Sequence, residues 1–194
     1  MKKINNTSIL MISILLFLIS YSLDKQVNLF FKYVKFPILD VILGIITNFG
    51  VVIVAMVVIP SIIFYKKDKR LVHLLWLTFM ASFILAFIIK LITLRQRPID
   101  AFTFPFTNII NYSFPSMHAM VIFSLLPLLT KHLPKQNYFW LMFAFLVAFS
   151  RVYFGFHFLS DVIFGALFGY FIGKKLASFG SKFFHCINEK TRHI

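Results

Sequence analysis

The stretch Ser150-Arg151-Val152-Tyr153-Phe154-Gly155-Phe156-His157-Phe158-Leu159-Ser160-Asp161 is apolar and aromatic, yet it carries an arginine, a histidine and an aspartate. Ionisable groups at membrane depth are costly and persist where they face a partner or a wet cavity. Asp161 is the only carboxylate between Asp100 and Glu189. It lies four residues after His157, a spacing that puts both side chains on one face of a helix. A carboxylate on one imidazole nitrogen fixes the tautomer and leaves the other nitrogen free to attack. The competing reading is a charged trio that satisfies itself inside a bundle, and this stretch alone does not separate the two.

Two further clusters bear on that choice. In Lys90-Leu91-Ile92-Thr93-Leu94-Arg95-Gln96-Arg97-Pro98, Lys90 and Arg97 are two helical turns apart, about 10 Å along the axis if the helix continues. Pro98 disfavours helix at Arg97, so that guanidinium can turn off the helix end. Guanidinium forks suit paired phosphate oxygens, and a lysine supplies a point charge. Snorkelling basic anchors would look the same. In Phe114-Pro115-Ser116-Met117-His118, proline and serine before an apolar run mark a helix amino terminus. Free amides there attract anions, and Ser116 and His118 lie at the same helix end. A lone interfacial histidine satisfied by water is the ordinary alternative.

The elements that must position these residues are membrane helices. The chain has 194 residues, of which 60% are hydrophobic and only 13% charged, the composition of an integral membrane protein. About six spans of roughly 20 residues fit, as a single all-α domain. The apolar runs predict spans at 7–23, 50–65, 71–94, 116–129, 138–153 and 157–171, with a short interfacial helix at 38–48. Asp24 to Lys35 reads as a loop, Pro60 as a tolerated kink, and Arg95 to Phe114 as the longest internal loop. The first run resembles a signal peptide at Ser20-Tyr21-Ser22, but a retained span fits the embedded chain that follows. Gly165 and Gly169 predict a close helix contact, within the chain rather than between chains.

With the amino terminus inside, thirteen of the 20 lysines and arginines fall on the inner side. The other seven are Lys25, Lys32, Lys35, Lys90, Arg95, Arg97 and Arg151. The bias places both termini in the cytoplasm and all three clusters on the outer side. The net charge of +14 therefore reads as topology signals and anchors to anionic headgroups, not as a nucleic-acid surface. Cys186 is the only cysteine, so no disulfide forms within the chain. No second carboxylate is close enough in sequence to hold magnesium with Asp161, which predicts phosphoryl transfer without a metal.

Lys90 with Arg97-Pro98, then Pro115-Ser116-Met117-His118, then Ser150-Arg151 with His157 and Asp161 resemble the three motifs of the type 2 phosphatidic acid phosphatase superfamily. That superfamily includes undecaprenyl-diphosphatases, glucose-6-phosphatase and vanadium haloperoxidases. Order, spacing and setting match from about 38 to 173, the expected core, with 174–194 as a basic cytoplasmic tail. Met117 stands where the family usually has glycine. The resemblance implies that His157 is the nucleophile, Asp161 its orienting partner and His118 the acid and base. Lys90, Arg97, Ser116, Met117 and Arg151 would bind the phosphate, with no cofactor. The implied protein is a bacterial inner-membrane enzyme acting at the non-cytoplasmic face on a lipid phosphate. Undecaprenyl diphosphate, phosphatidylglycerol phosphate, phosphatidic acid and a lipid A phosphate are the candidates, and the sequence does not choose among them. A lipid-phosphate binder or transporter, or a phosphatase of soluble esters, is the alternative. The segment 102–106, rich in phenylalanine, would guide the lipid chain or form an aromatic belt.

Overall fold

Every regular element among the described residues, which are 5–98 and 112–192 of this computed structural model, is helical. In order they are α1 (Asn6–Tyr33), α2 (Pro37–Ile46), α3 (Phe49–Ile53), a π-helical turn (Val54–Val58), α4 (Ile59–Lys67), α5 (Lys69–Thr93), α6 (Met117–His132), a 3-10 turn (Pro134–Gln136), α7 (Asn137–Tyr153) and α8 (Leu159–Arg192). The segment 102–106 lies outside the described residues.

Two expectations change. The segment from Asp24 onward is not a loop, because α1 continues to Tyr33 and Asp24 is buried and paired within it. The last helix does not begin at His157 or end at 171. It starts at Leu159 and runs on through the basic tail to Arg192. Four helices are long and apolar enough to cross a bilayer, namely Thr7–Tyr33, Phe49–Lys67, Lys69–Thr93 and Leu159–Gly180. α6 and α7 have 16 and 17 residues, about 24–26 Å, short of a hydrocarbon core of about 30 Å.

Pro60 lies inside the continuous helix Phe49–Lys67. It has no N–H to donate, and its ring crowds the carbonyl four residues back. The π turn just upstream, where the Ile59 N–H bonds the Val54 carbonyl five residues back, takes up that mismatch without breaking the rod.

α6 is the centre of the bundle. Met120, Val121, Ile122, Leu125, Leu126, Leu128 and Leu129 are all buried on it, as expected for a helix that is apolar all round. The main apolar core joins it to Val52, Met56, Phe64, Leu75, Phe79 and Trp140. α8 approaches α6 through Gly165, Gly169 and Gly173. A Cβ on these would lie 2.8 Å from the Ser116 carbonyl oxygen, 2.2 Å from that of Met120 and 1.8 Å from that of Ser124. The two rows, each repeating every four residues, let the backbones touch. The glycine contact is therefore intrachain, and it extends one turn beyond the expected pair. α1 runs antiparallel along α8, with Phe17 packed 5.9 Å from Phe164 and Asp24 bonded to Ser160. Its outer face, including Leu10, Met11, Leu15 and Leu18, is exposed and apolar.

Candidate active site

The carboxyl ends of α5 and α7 and the amino ends of α6 and α8 meet at one end of the bundle. α5 ends with Leu94 in the left-handed region, φ 47°, which turns the following residues off the helix axis. Ser116 caps α6, its Oγ accepting from the Ala119 N–H, and its own N–H donates to the Asp161 carbonyl at 3.1 Å. The first turns of α6 and α8 are thereby stitched together. Gly155, with φ 70°, makes the tight turn between α7 and α8 that a side chain would strain.

His157 lies in that turn, not on the helix, so it does not share a helix face with Asp161. Its N–H donates to the Arg151 carbonyl at 3.2 Å. Its Nδ1 lies 2.7 Å from the Ser113 carbonyl and 3.7 Å from Asp161 Oδ2. A carbonyl only accepts, so Nδ1 carries the proton and Nε2 keeps its lone pair. The tautomer is set by Ser113, not by the carboxylate, which is too distant for a hydrogen bond. Asp161 Oδ2 instead accepts from Ser113 Oγ and, at 2.8 Å, from the Phe158 N–H. Asp161 Oδ1 accepts from Arg95 at 2.6 Å.

Three basic side chains act on the imidazole. Lys90 is buried and donates to the Tyr112 and Ser113 carbonyls. Arg97 donates to the Phe156 carbonyl at 2.8 Å. Arg151, buried, donates from Nη1 to Thr47 Oγ1 at 2.8 Å and lies 4.5 Å from the Phe156 ring. Burial first, and then the charges of Lys90, Arg151 and Arg97, hold His157 well below the ordinary histidine value, so it is neutral near pH 7. His118 packs edge-on against Phe49 at 4.8 Å and feels the charges of Arg151 and Arg97. Met117 turns its side chain into the apolar core, leaving its backbone at the helix start.

Among the described residues, four buried side-chain nitrogens and oxygens lack a partner, and two of them, His118 Nε2 and Arg151 Nε, belong to this site. No group of three or more His, Cys, Asp or Glu that could hold a metal ion occurs among the described residues. The arrangement is a neutral imidazole with a lone pair on Nε2, an uncommitted nitrogen on a second imidazole, and three basic side chains acting on the first. It suits an anion with an electrophilic centre.

Four participants were not foreseen. Ser113 carries the hydrogen bond to His157 that the spacing attributed to Asp161. Arg95, read as a loop charge, bridges Asp161 and Asp24 at 2.6 and 2.7 Å. Asp24 had one available signal, a lone carboxylate beside a long apolar run. Thr47, which holds Arg151, had none.

The fold and site define a class, an integral membrane helical bundle with a cationic, histidine-bearing centre at one end. The chain belongs to the PAP2 superfamily, which it matches over residues 70–184. It is similar in structure to the first transmembrane PAP2-type phosphatidylglycerolphosphate phosphatase from Bacillus subtilis, known from its crystal structure. The two share 25% identity over 91% of this chain and 96% of that chain, with a TM-score of 0.69. Comparison with curated protein sequences gave no match.

Proposed function

We propose that this protein is a membrane phosphatase that removes a phosphate from a lipid phosphomonoester or diphosphate through a phosphohistidine. His157 Nε2 attacks phosphorus as the bond to the leaving oxygen breaks. His118, protonated on Nε2 when the anionic phosphate is bound, gives that oxygen its proton. Lys90, Arg97, Arg151, Ser116 and the amides at the start of α6 take the charge on the equatorial oxygens. In the second half, His118 removes a proton from water, the water attacks the phosphohistidine, and His157 leaves with its lone pair restored. Asp161 steadies the imidazolium across 3.7 Å and anchors Ser113. Neither step needs a metal-bound hydroxide. The observation that carries the reading is the pair of uncommitted nitrogens, His118 Nε2 and Arg151 Nε, beside a neutral His157.

The setting supports a lipid substrate. The site lies at the bundle end, among helices with apolar outer faces, so a lipid headgroup reaches it while the tail stays in the bilayer. The structurally similar protein, a phosphatidylglycerolphosphate phosphatase, favours phosphatidylglycerol phosphate, with undecaprenyl diphosphate and phosphatidic acid next. We take all six longer helical segments as crossing, both termini as cytoplasmic, and the site as facing the non-cytoplasmic side. The test is phosphate release by detergent-purified protein from these lipids and from glucose 6-phosphate. Turnover of a lipid and loss of it in His157→Ala are expected. Release from the sugar ester alone, or full activity in His157→Ala, would overturn the proposal.

A further inference from the structure

We propose that Asp24 and Arg95 are positioning residues for the nucleophile, forming a clasp through which α1 sets Asp161 and, by way of Ser113, His157. This rests on the phosphatase reading above. Arg95 Nη1 lies 2.6 Å from Asp161 Oδ1 and 2.8 Å from Ser160 Oγ, and Nη2 lies 2.7 Å from Asp24 Oδ2. Asp24 closes the ring, accepting from the Ser160 N–H at 2.8 Å and from the Ser160 hydroxyl at 2.6 Å. The aspartates are 5% and 0% exposed at the side chain, and Arg95 is 23% exposed, with its guanidinium 4.2 Å from the Phe158 ring.

Two buried carboxylates this close repel, and a cation between them offsets that repulsion. Only an arginine fork spans both, because a lysine offers one point charge. The other oxygen of Asp161 is taken by Ser113 Oγ and the Phe158 N–H, and the Ser113 carbonyl takes the His157 Nδ1 proton. Any movement of Asp161 is thus passed to the ring that attacks. A plain tether of α1 to α8 would need Asp24 and Ser160 alone. The Arg95–Asp161 bond is what joins α1 to the chemistry.

The experiment compares wild type, Asp24→Asn, Arg95→Gln, Arg95→Lys and the Asp24→Asn/Arg95→Gln double variant, purified in detergent. kcat and KM are measured separately on the best lipid phosphate, and thermal unfolding gives the folded fraction. We expect kcat per folded molecule to fall about 10-fold in Asp24→Asn and about 100-fold in Arg95→Gln, with KM within about twofold, the range typical of partners that orient a reacting ligand. Arg95→Lys falls between them, and the double variant is no worse than Arg95→Gln, because the two residues act as one unit. Lower unfolding temperatures with wild-type kcat per folded molecule would reduce the clasp to a structural tether and overturn the inference. If Arg95→Gln does not fold, the nearly isosteric Asp24→Asn decides by the same criterion. Wild-type inactivity on every lipid phosphate would overturn the phosphatase reading together with this one, whereas wild-type turnover with an unaffected Asp24→Asn overturns this one alone.

Discussion

Gly169→Ala tests whether the α6–α8 seam holds the site together. The added Cβ would lie 2.2 Å from the Met120 carbonyl oxygen, 2.9 Å from its carbon and 3.0 Å from its Cα. A relaxed carbon–oxygen contact is about 3.3–3.6 Å, so α8 must retreat by about 1 Å. All three atoms are backbone of the most enclosed helix, so no side chain can swing aside. Overpacking of this kind costs about 3 kcal/mol, and the better helix propensity of alanine offsets about 1 kcal/mol. The net of about 2 kcal/mol lowers the unfolding midpoint by about 4–8 °C for a chain of this size. The same retreat acts on catalysis. Asp161 lies about 12 Å up the same helix, and its carbonyl is joined to the Ser116 N–H at 3.1 Å across this seam. A displacement of about 1 Å between the phosphate-binding helix end and the nucleophile can cost about 100-fold in turnover. The assay is thermal unfolding in detergent beside lipid-phosphate hydrolysis. Gly44→Ala, in α2, is the control, because nothing lies within 4 Å of its added Cβ. It should match or slightly exceed wild-type stability and keep full turnover. If Gly169→Ala behaves like Gly44→Ala in both measurements, the seam is not the close contact described, and the reasoning fails.

Three further outcomes are expected. Arg151→Lys removes the bond to Thr47 and the free Nε, and should lower kcat/KM about 100-fold, roughly 3 kcal/mol in the barrier, as measured on the same lipid. The depressed His157 value means that the unfolded chain takes up a proton near pH 6.5 that the folded chain does not. Its contribution is whole above that pH and is lost as pH falls below it, at up to about 1.4 kcal/mol per pH unit. Unfolding midpoints between pH 7 and pH 5 should therefore fall less steeply in His157→Gln than in wild type. Phosphate release should survive exhaustive treatment with EDTA, and loss of it that magnesium restores would contradict the two-step histidine mechanism.

The helical architecture was legible because it depends on composition, and the eight proposed site residues could be singled out as candidates by type and local spacing. Long apolar runs in water-avoiding lengths have few alternatives to helix. Lysine, arginine and histidine among them stand out for the same reason. Two kinds of information were not in the local pattern. One was where helices end. α1 runs through Asp24 and Lys32, with Asp24 paired to Arg95 beyond the end of α5, and no local signal announces that partner. His157 drops off α8 because Gly155 turns the chain, so the four-residue spacing to Asp161 does not bring the two side chains together as a helix would.

The other was who bonds to whom. Arg95 meets Asp24 across 71 residues and Asp161 across 66, and Ser113 meets His157 across 44. A hydrogen bond or an ion pair has a range of a few ångströms and no preference for sequence distance, so packing chooses among every donor and acceptor the chain carries. In this protein the sequence by itself determined a helical membrane bundle and the chemical groups available to handle a phosphate. The tertiary structure decided that a serine carbonyl orients the imidazole and that an arginine ties the first helix to the carboxylate. Those assignments arise only when glycine-lined helices close on one another and bring distant polar groups within bonding reach.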